Sequence, residues 1–147
     1  MTEITETLRI QADLAELPRM QAWLAQIGER FELGAATIYA LELCCEEAVS
    51  NVIRYGLDPT KSPGKTIELK IWRSADLLHF SLVDHGIAFD PSVPPGVAMP
   101  DSLEDAKIGG LGIHLLHKFS HAMRYERRED KNHLTLDFLL SQVTTRD

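Results

Sequence analysis

Between residues 35 and 55 the apolar positions Ile38, Leu41, Cys45, Ala48, Val49 and Val52 recur three or four apart, the period of a helix with one buried stripe. An earlier stretch places Leu17, Met20, Trp23, Leu24 and Ile27 at the same period, with Asp13 ahead of it as a cap and Pro18 suited to its first turn. Gly34 punctuates the link between the two predicted helices. The period then changes to two. Residues 66–72 alternate Ile67, Leu69 and Ile71 with Glu68 and Lys70, and residues 77–83 alternate Leu78, Phe80 and Leu82 with His79 and Ser81, which predicts a hairpin whose strands each keep one wet face. Leu8-Arg9-Ile10 reads as a short first strand, and Ile113, Leu115, Leu116 and Phe119 continue a helix out of a glycine run. Residues 123–127 and 133–140 read as two closing strands joined by residues 128–132.

Strand, helix, helix, strand, strand, helix, strand, strand is the order of an α+β domain with helices on one face of a mixed, mostly antiparallel sheet. Two stretches break the pattern. Residues 58–65 are dense in turn formers. From His85 to Lys107 there is no periodicity and prolines stand at 91, 94, 95 and 100, and an irregular connection of that length in a compact domain reads as a functional lid.

Length and composition narrow the picture. With 147 residues and 44% apolar content, the chain is expected to form a single domain over residues 1–147 with a proper core. A formal charge of -7 argues against a nucleic-acid surface, which needs clustered Lys and Arg. No apolar run is long enough for a membrane span and the N-terminus has neither a basic start nor an apolar stretch, so a cytoplasmic protein is expected. Cys44 and Cys45, the only cysteines, are neighbours on the predicted helix and read as packing thiols in a reducing compartment.

Three places offer chemistry. Glu47 and Asn51 stand four apart on the second predicted helix, so a carboxylate and a carboxamide share one face, one turn apart. The first can take a proton; the second can coordinate or hydrogen-bond. Glu46 is a rival base, but it points about 100° round the helix. Asp84 ends an apolar strand just before Gly86, so its carboxylate should protrude where the chain turns. Gly109-Gly110-Leu111-Gly112 opens a predicted helix, where unobstructed backbone N–H groups and the helix dipole suit a phosphate chain. His114, His117 and His121 are also spaced to meet on one helix face, but no acidic or thiol ligand joins them, and a polar helix face is the simpler reading.

These segments resemble a known family. Glu47-Ala-Val-Ser-Asn51, followed by Val-Ile-Arg-Tyr-Gly56, is similar to the N box of the GHKL ATPases, in the form found in bacterial anti-sigma factor serine/threonine kinases. Residues 83–91 (Val-Asp-His-Gly-Ile-Ala-Phe-Asp-Pro) resemble the first glycine box, and residues 109–113 the second. Ala88, Ile108 and Arg54 stand where the family often has a glycine, a basic residue and a histidine.

The resemblance implies a two-layer Bergerat-type sandwich that binds ATP and Mg²⁺. Asp84 would accept a hydrogen bond from the adenine amino group beside Gly86, and Asn51 would hold Mg²⁺. Gly109, Gly110, Leu111 and Gly112, with Lys107, would lie along the triphosphate. Glu47 would be the general base. The implied activity is that of an anti-sigma factor and serine kinase whose substrate is a STAS-type anti-anti-sigma protein, with a sigma factor as second partner and a homodimeric state. An ATP-dependent partner switch without phosphotransfer is the alternative. A detached histidine-kinase catalytic domain is a third, against which Glu47 stands, because such domains usually carry asparagine there.

Overall fold

The computed structural model describes residues 4–56, 66–92 and 110–140. In chain order they form β1 (Thr5–Gln11), α1 (Leu17–Arg30), α2 (Ala35–Asn51), β2 (Thr66–Ser74), β3 (Leu77–Asp84), α3 (Gly110–Phe119), β4 (Ala122–Arg128) and β5 (Lys131–Leu139). The sheet order is β1-β2-β3-β5-β4. Every neighbouring pair is antiparallel, so the parallel pair that a mixed sheet would contain is absent among the described residues.

Register explains the core. Leu8, Leu69, Leu82, Leu134 and Tyr125 form one cross-strand row, and Ile71, Phe80, Leu136 and Met123 form the next. Apart from Tyr125, these rows, with Ile10, Ile67, Leu78 and Phe138, pack against Met20, Leu24 and Ile27 of α1, Leu41, Cys45 and Val49 of α2 and Leu116 of α3. The same face of the sheet ends in the row Asp84, Asn132, Arg127, polar groups set at the rim of an apolar layer.

Local signals act largely as expected. Asp13 accepts from the Ala15 amide at 2.9 Å and caps a 3-10 turn, Leu14–Glu16, that leads into α1 with Pro18 in its first turn. Gly34 is the N-cap of α2. The second helix is buried over a wider arc than a single stripe, because Thr37, Cys44 and Ser50 are buried along with Leu41, Cys45, Ala48 and Val49, while Ile38 and Val52 at the ends of the predicted stripe are half-buried. Both cysteines are free and buried; burial and then the Glu47 charge push the Cys44 thiol up to about 12. The helix does not run regularly to Tyr55: after Asn51 it widens into a π turn, Val52–Gly56. No helix among the described residues is long and apolar enough to cross a membrane.

His79 departs from the expected wet face of β3. It is 9% exposed, stacked on Trp72 with centroids 5.1 Å apart. Its Nε2 pairs with the Ser74 hydroxyl and its Nδ1 with Asp137 Oδ1, both at 2.7 Å. Arg124 grips the same carboxylate at 2.6 and 3.2 Å. Burial pushes Asp137 up, but the hydrogen bonds from Arg124 and His79 and their charges hold it below the ordinary carboxylate range.

Candidate functional site

A cavity with about 750 Å³ of free space, its mouth included, lies between the end of α2, the turn after β3, α3 and the β4–β5 hairpin. Its walls are mostly apolar, supplied by Ala48, Val52, Leu82, Ile113, Leu116 and Leu134. Polar side chains interrupt them at Asn51, Tyr55, Asp84, Tyr125 and Asn132. At the rim, Ile87 and Phe89 remain 55% and 45% exposed, an unusual placement for large apolar side chains and one that suits the mouth of a ligand pocket.

Asp84 does not protrude, as the strand-end reading expected; it is buried within the cavity wall. Its position in β3 has the parity of Leu78, Phe80 and Leu82, so it faces the helix layer with them. Desolvation raises its carboxyl above the ordinary range, opposed by hydrogen bonds from Asn132 and Gly86 and by the charges of Arg127 and His85. The Gly86 amide donates to Asp84 Oδ1 at 2.8 Å and Asn132 Nδ2 donates to the same oxygen at 3.0 Å. Among the described residues no hydrogen bond to Oδ2 accompanies them.

Gly86 is required by space. A β-carbon there would stand 2.2 Å from Gly56 O and 2.9 Å from Gly56 C. The contact is made useful by the Ile87 amide, which donates to Gly56 O at 2.8 Å. The π turn therefore serves as a docking point: it delivers Gly56 O to the turn after β3 and ties two sequence-distant segments around the cavity.

Asn51 lines the cavity from α2. Glu47, one turn earlier, is half-buried and not part of the lining, while Glu46 is exposed and accepts from Gln21 at 3.3 Å. The glycine run does open a helix: α3 starts at Gly110, passes through Leu111 and Gly112, and brings Ile113 and Leu116 into the cavity wall. Gly109, Lys107 and residues 93–107 of the lid span lie outside the described residues, as do the side-chain surroundings of residues 110–112. His117 donates from Nε2 to the Pro91 carbonyl at 2.9 Å, fastening α3 to the turn after Phe89. No cluster of three or more metal-ligating side chains occurs among the described residues.

Sequence reasoning missed Tyr125, Arg127 and Asn132. Asn132 was expected in the link between the last two strands, but β5 begins at Lys131 and sets Asn132 opposite both Asp84 and Arg127. Arg127 Nη1 donates to Gly86 O at 2.8 Å, the third grip on that turn.

The sequence profile of the histidine kinase-like ATPase domain matches residues 10–138. A serine/threonine-protein kinase, BtrW of Bordetella bronchiseptica, is 32% identical over 136 residues, which are 92% of this chain and 94% of that protein. In fold the chain is similar to the crystal structure of the RsbU and RsbW domains of a Mycobacterium tuberculosis protein, with a TM-score of 0.61 at 13% identity, covering 93% of this chain and 32% of that one. The matched residues span nearly the whole α+β sandwich, and the chain belongs to the histidine kinase-like ATPase domain family.

Proposed function

We propose that this chain is an ATP-dependent protein serine kinase that binds Mg-ATP in the cavity and phosphorylates a STAS-type anti-anti-sigma partner. The observation that carries the reading is Asp84: a buried carboxylate in the wall of an apolar cavity, with Oδ1 held by Gly86 and Asn132 and no bond to Oδ2 among the described residues. Apolar walls suit a flat purine, and a charged acceptor among them suits an exocyclic amine, so the donor and acceptor set fits adenine and rejects guanine, which offers a carbonyl at that edge. A curated relative that covers nearly the whole chain and is named a serine/threonine-protein kinase supports the reaction type.

Within this reading each side chain has one task. Asn51 presents a carbonyl oxygen from the cavity wall, the hard donor that Mg²⁺ takes beside phosphate oxygens and water, and the ion would supply charge neutralisation on the triphosphate. The amides of Gly109, Gly110, Leu111 and Gly112, together with Lys107, attend the phosphates. Glu47 accepts the proton of the substrate hydroxyl as its oxygen bonds to the γ-phosphorus and the bond to the bridging oxygen breaks, releasing ADP. Its half-buried position one turn from Asn51 would keep it near an ion held by that residue without taking up cavity wall.

The test separates binding from transfer. Asn51→Ala is expected to weaken Mg-ATP and lower turnover together. Glu47→Gln is expected to bind Mg-ATP almost normally and to lose roughly 10²–10⁴-fold in phosphotransfer, the usual contribution of a positioned base. Full transfer by Glu47→Gln, under conditions where chemistry limits the wild-type rate, would remove the base. A wild type that binds ATP and partner and never transfers phosphate would favour the non-catalytic switch. A sigma factor as second partner and a homodimeric state rest on the family resemblance, and proteins co-purifying with the chain with and without ATP test the first of these.

A further inference from the structure

Asn132 uses every hydrogen-bonding position of its side chain on the protein. A carboxamide has two N–H donors and one oxygen with two lone pairs. Nδ2 donates to Asp84 Oδ1 at 3.0 Å and to Ile87 O at 2.8 Å. Oδ1 accepts from the Tyr125 hydroxyl and from Arg127 Nη1, the latter at 3.2 Å. The orientation of the amide is fixed by chemistry, because a carbonyl can only accept and a guanidinium can only donate. At 6% exposure and with no free donor or acceptor, Asn132 has nothing left with which to recognise a ligand.

We propose that Asn132 is a positioning residue for base selection: it fixes the plane of the Asp84 carboxylate and locks the Gly86–Ile87 backbone to the β4–β5 hairpin, so that selectivity for a purine bearing a 6-amino group is set by a residue that does not touch the base. The inference rests on the nucleotide-binding reading of the cavity. Its geometry comes from one cross-strand row. Asp84 pairs with Asn132 across β3 and β5, and Asn132 pairs with Arg127 across β5 and β4. Arg127 then reaches Gly86 O as well, so the amide and the guanidinium hold consecutive carbonyls, Gly86 O and Ile87 O, from the hairpin side. From the helix side Gly56 O takes the Ile87 amide at 2.8 Å.

Both N–H groups that reach Asp84 within the described residues, from Gly86 and Asn132, land on Oδ1. They bias the carboxylate to a single plane. Without Asn132 the carboxylate keeps, among the described residues, the Gly86 amide alone, and its plane is free to turn about the terminal torsion, which is broad for aspartate. Tyr125 and Arg127 orient the amide and act one step further out.

The test compares Mg-ATP with the Mg²⁺ complex of purine riboside triphosphate, which lacks only the 6-amino group, by calorimetry on the full chain. The wild type is expected to prefer ATP by roughly 10- to 100-fold, the range for a hydrogen bond to a charged acceptor. In Asn132→Leu that preference should fall toward unity while affinity for the deamino ligand stays within about threefold of wild type. Tyr125→Phe removes one support and keeps the ring in the cavity wall; its preference should fall about two- to fivefold. A folded Asn132→Leu with an unchanged preference, or with both ligands weakened equally, overturns the proposal; the second outcome would make Asn132 a support of the fold alone. Should Asn132→Leu fail to fold, an unchanged preference in Tyr125→Phe overturns it. Failure of the underlying reading looks different: the wild type would then bind neither ligand, or would bind both equally.

Discussion

Gly86→Ala is expected to damage both stability and nucleotide binding, and its magnitude follows from the contact with Gly56. The added carbon would lie 2.2 Å from Gly56 O, 2.9 Å from Gly56 C and 3.0 Å from Asp84 Oδ1, the first more than an ångström inside the ~3.5 Å of an ordinary carbon contact. The nearest atoms are backbone, so no rotamer change relieves the overlap and the turn must withdraw from the π turn. Overpacking of this kind costs about 1–3 kcal/mol, and the Ile87-to-Gly56 hydrogen bond lost on withdrawal adds about 0.5–1.5 kcal/mol. Together they predict about 2–4 kcal/mol, or a melting temperature lower by roughly 5–15 °C for a domain of this size. Because the same turn carries the amide that holds Asp84, ATP affinity should fall at least about tenfold with it. Gly56→Ala is the matched control: among the described residues its β-carbon would meet nothing nearer than Val52 Cγ1 at 3.8 Å, so its melting temperature should stay close to wild type. Thermal denaturation and calorimetry of the two variants decide the matter. Equal melting of Gly86→Ala and wild type with equal ATP affinity, or equal damage from both substitutions, would refute the close-contact reasoning.

Other perturbations separate ligand recognition from folding. Asp84 has a raised carboxyl pKa because it is buried; its contribution to stability is therefore fullest below the ordinary carboxylate range and is lost as pH rises through the raised value. Asp84→Asn should leave the ligand-free protein as stable as wild type or more so at neutral pH while weakening ATP, and a large drop in melting temperature would contradict this. In the wild type, ATP affinity should fall as pH drops through a midpoint above the ordinary carboxylate range, and a flat profile there would remove Asp84 as the ionised acceptor. Asp137 has the opposite sign: its lowered pKa contributes stability that is present above the ordinary carboxylate range and lost as pH falls through the folded value. Asp137→Asn should thus lower stability at neutral pH by roughly 1–3 kcal/mol and flatten the acid limb of the stability profile, measured by urea denaturation across pH. Cys44 and Cys45, buried and with raised pKa values, should resist a thiol-reactive dye in the native protein and react once urea unfolds it; rapid labelling of the folded chain would contradict their packing.

Much of the fold was legible because its elements announce themselves locally. Helical spacing in residues 17–27 and 38–52, alternation in residues 67–71 and 78–82, and caps at Asp13 and Gly34 all depend on residues within a few positions of one another, and the structure places elements there. What the pattern could not show is how far a face is buried by something distant. His79 lies on the outer face of β3 as alternation predicted, yet Trp72, Ser74 and Asp137 enclose it, and Asp137 is 58 residues away. The π turn is similarly silent in sequence, since one widened turn leaves the apolar spacing before it unchanged.

The site divides along the same line, and the division says something about how it is built. Asn51, Asp84 and Gly86 sit in short motifs and could be singled out from their own neighbours. Tyr125, Arg127 and Asn132 could not, because their meaning depends on strand register. The β4–β5 hairpin turns through Glu129 and Asp130, both with positive φ (56° and 62°), the conformation of a tight two-residue turn that normally advertises itself with Asn-Gly or Asp-Gly. Glutamate followed by aspartate gives no such signal, so the link was drawn too long and Asn132 fell inside it. The tight turn instead pairs Arg127 with Asn132 and carries both to the rim row beside Asp84. A carboxylate buried in an apolar wall costs folding free energy unless its charge is hydrogen-bonded, and here only one of its oxygens is so held by the described residues. A half-satisfied buried charge is a poor device for stability and a good one for recognition. The turn at residues 129–130 is therefore the means by which the fold brings a neutral amide and an arginine up to that charge, stabilising it on one side and leaving the other, within the proposed reading, to the nucleotide.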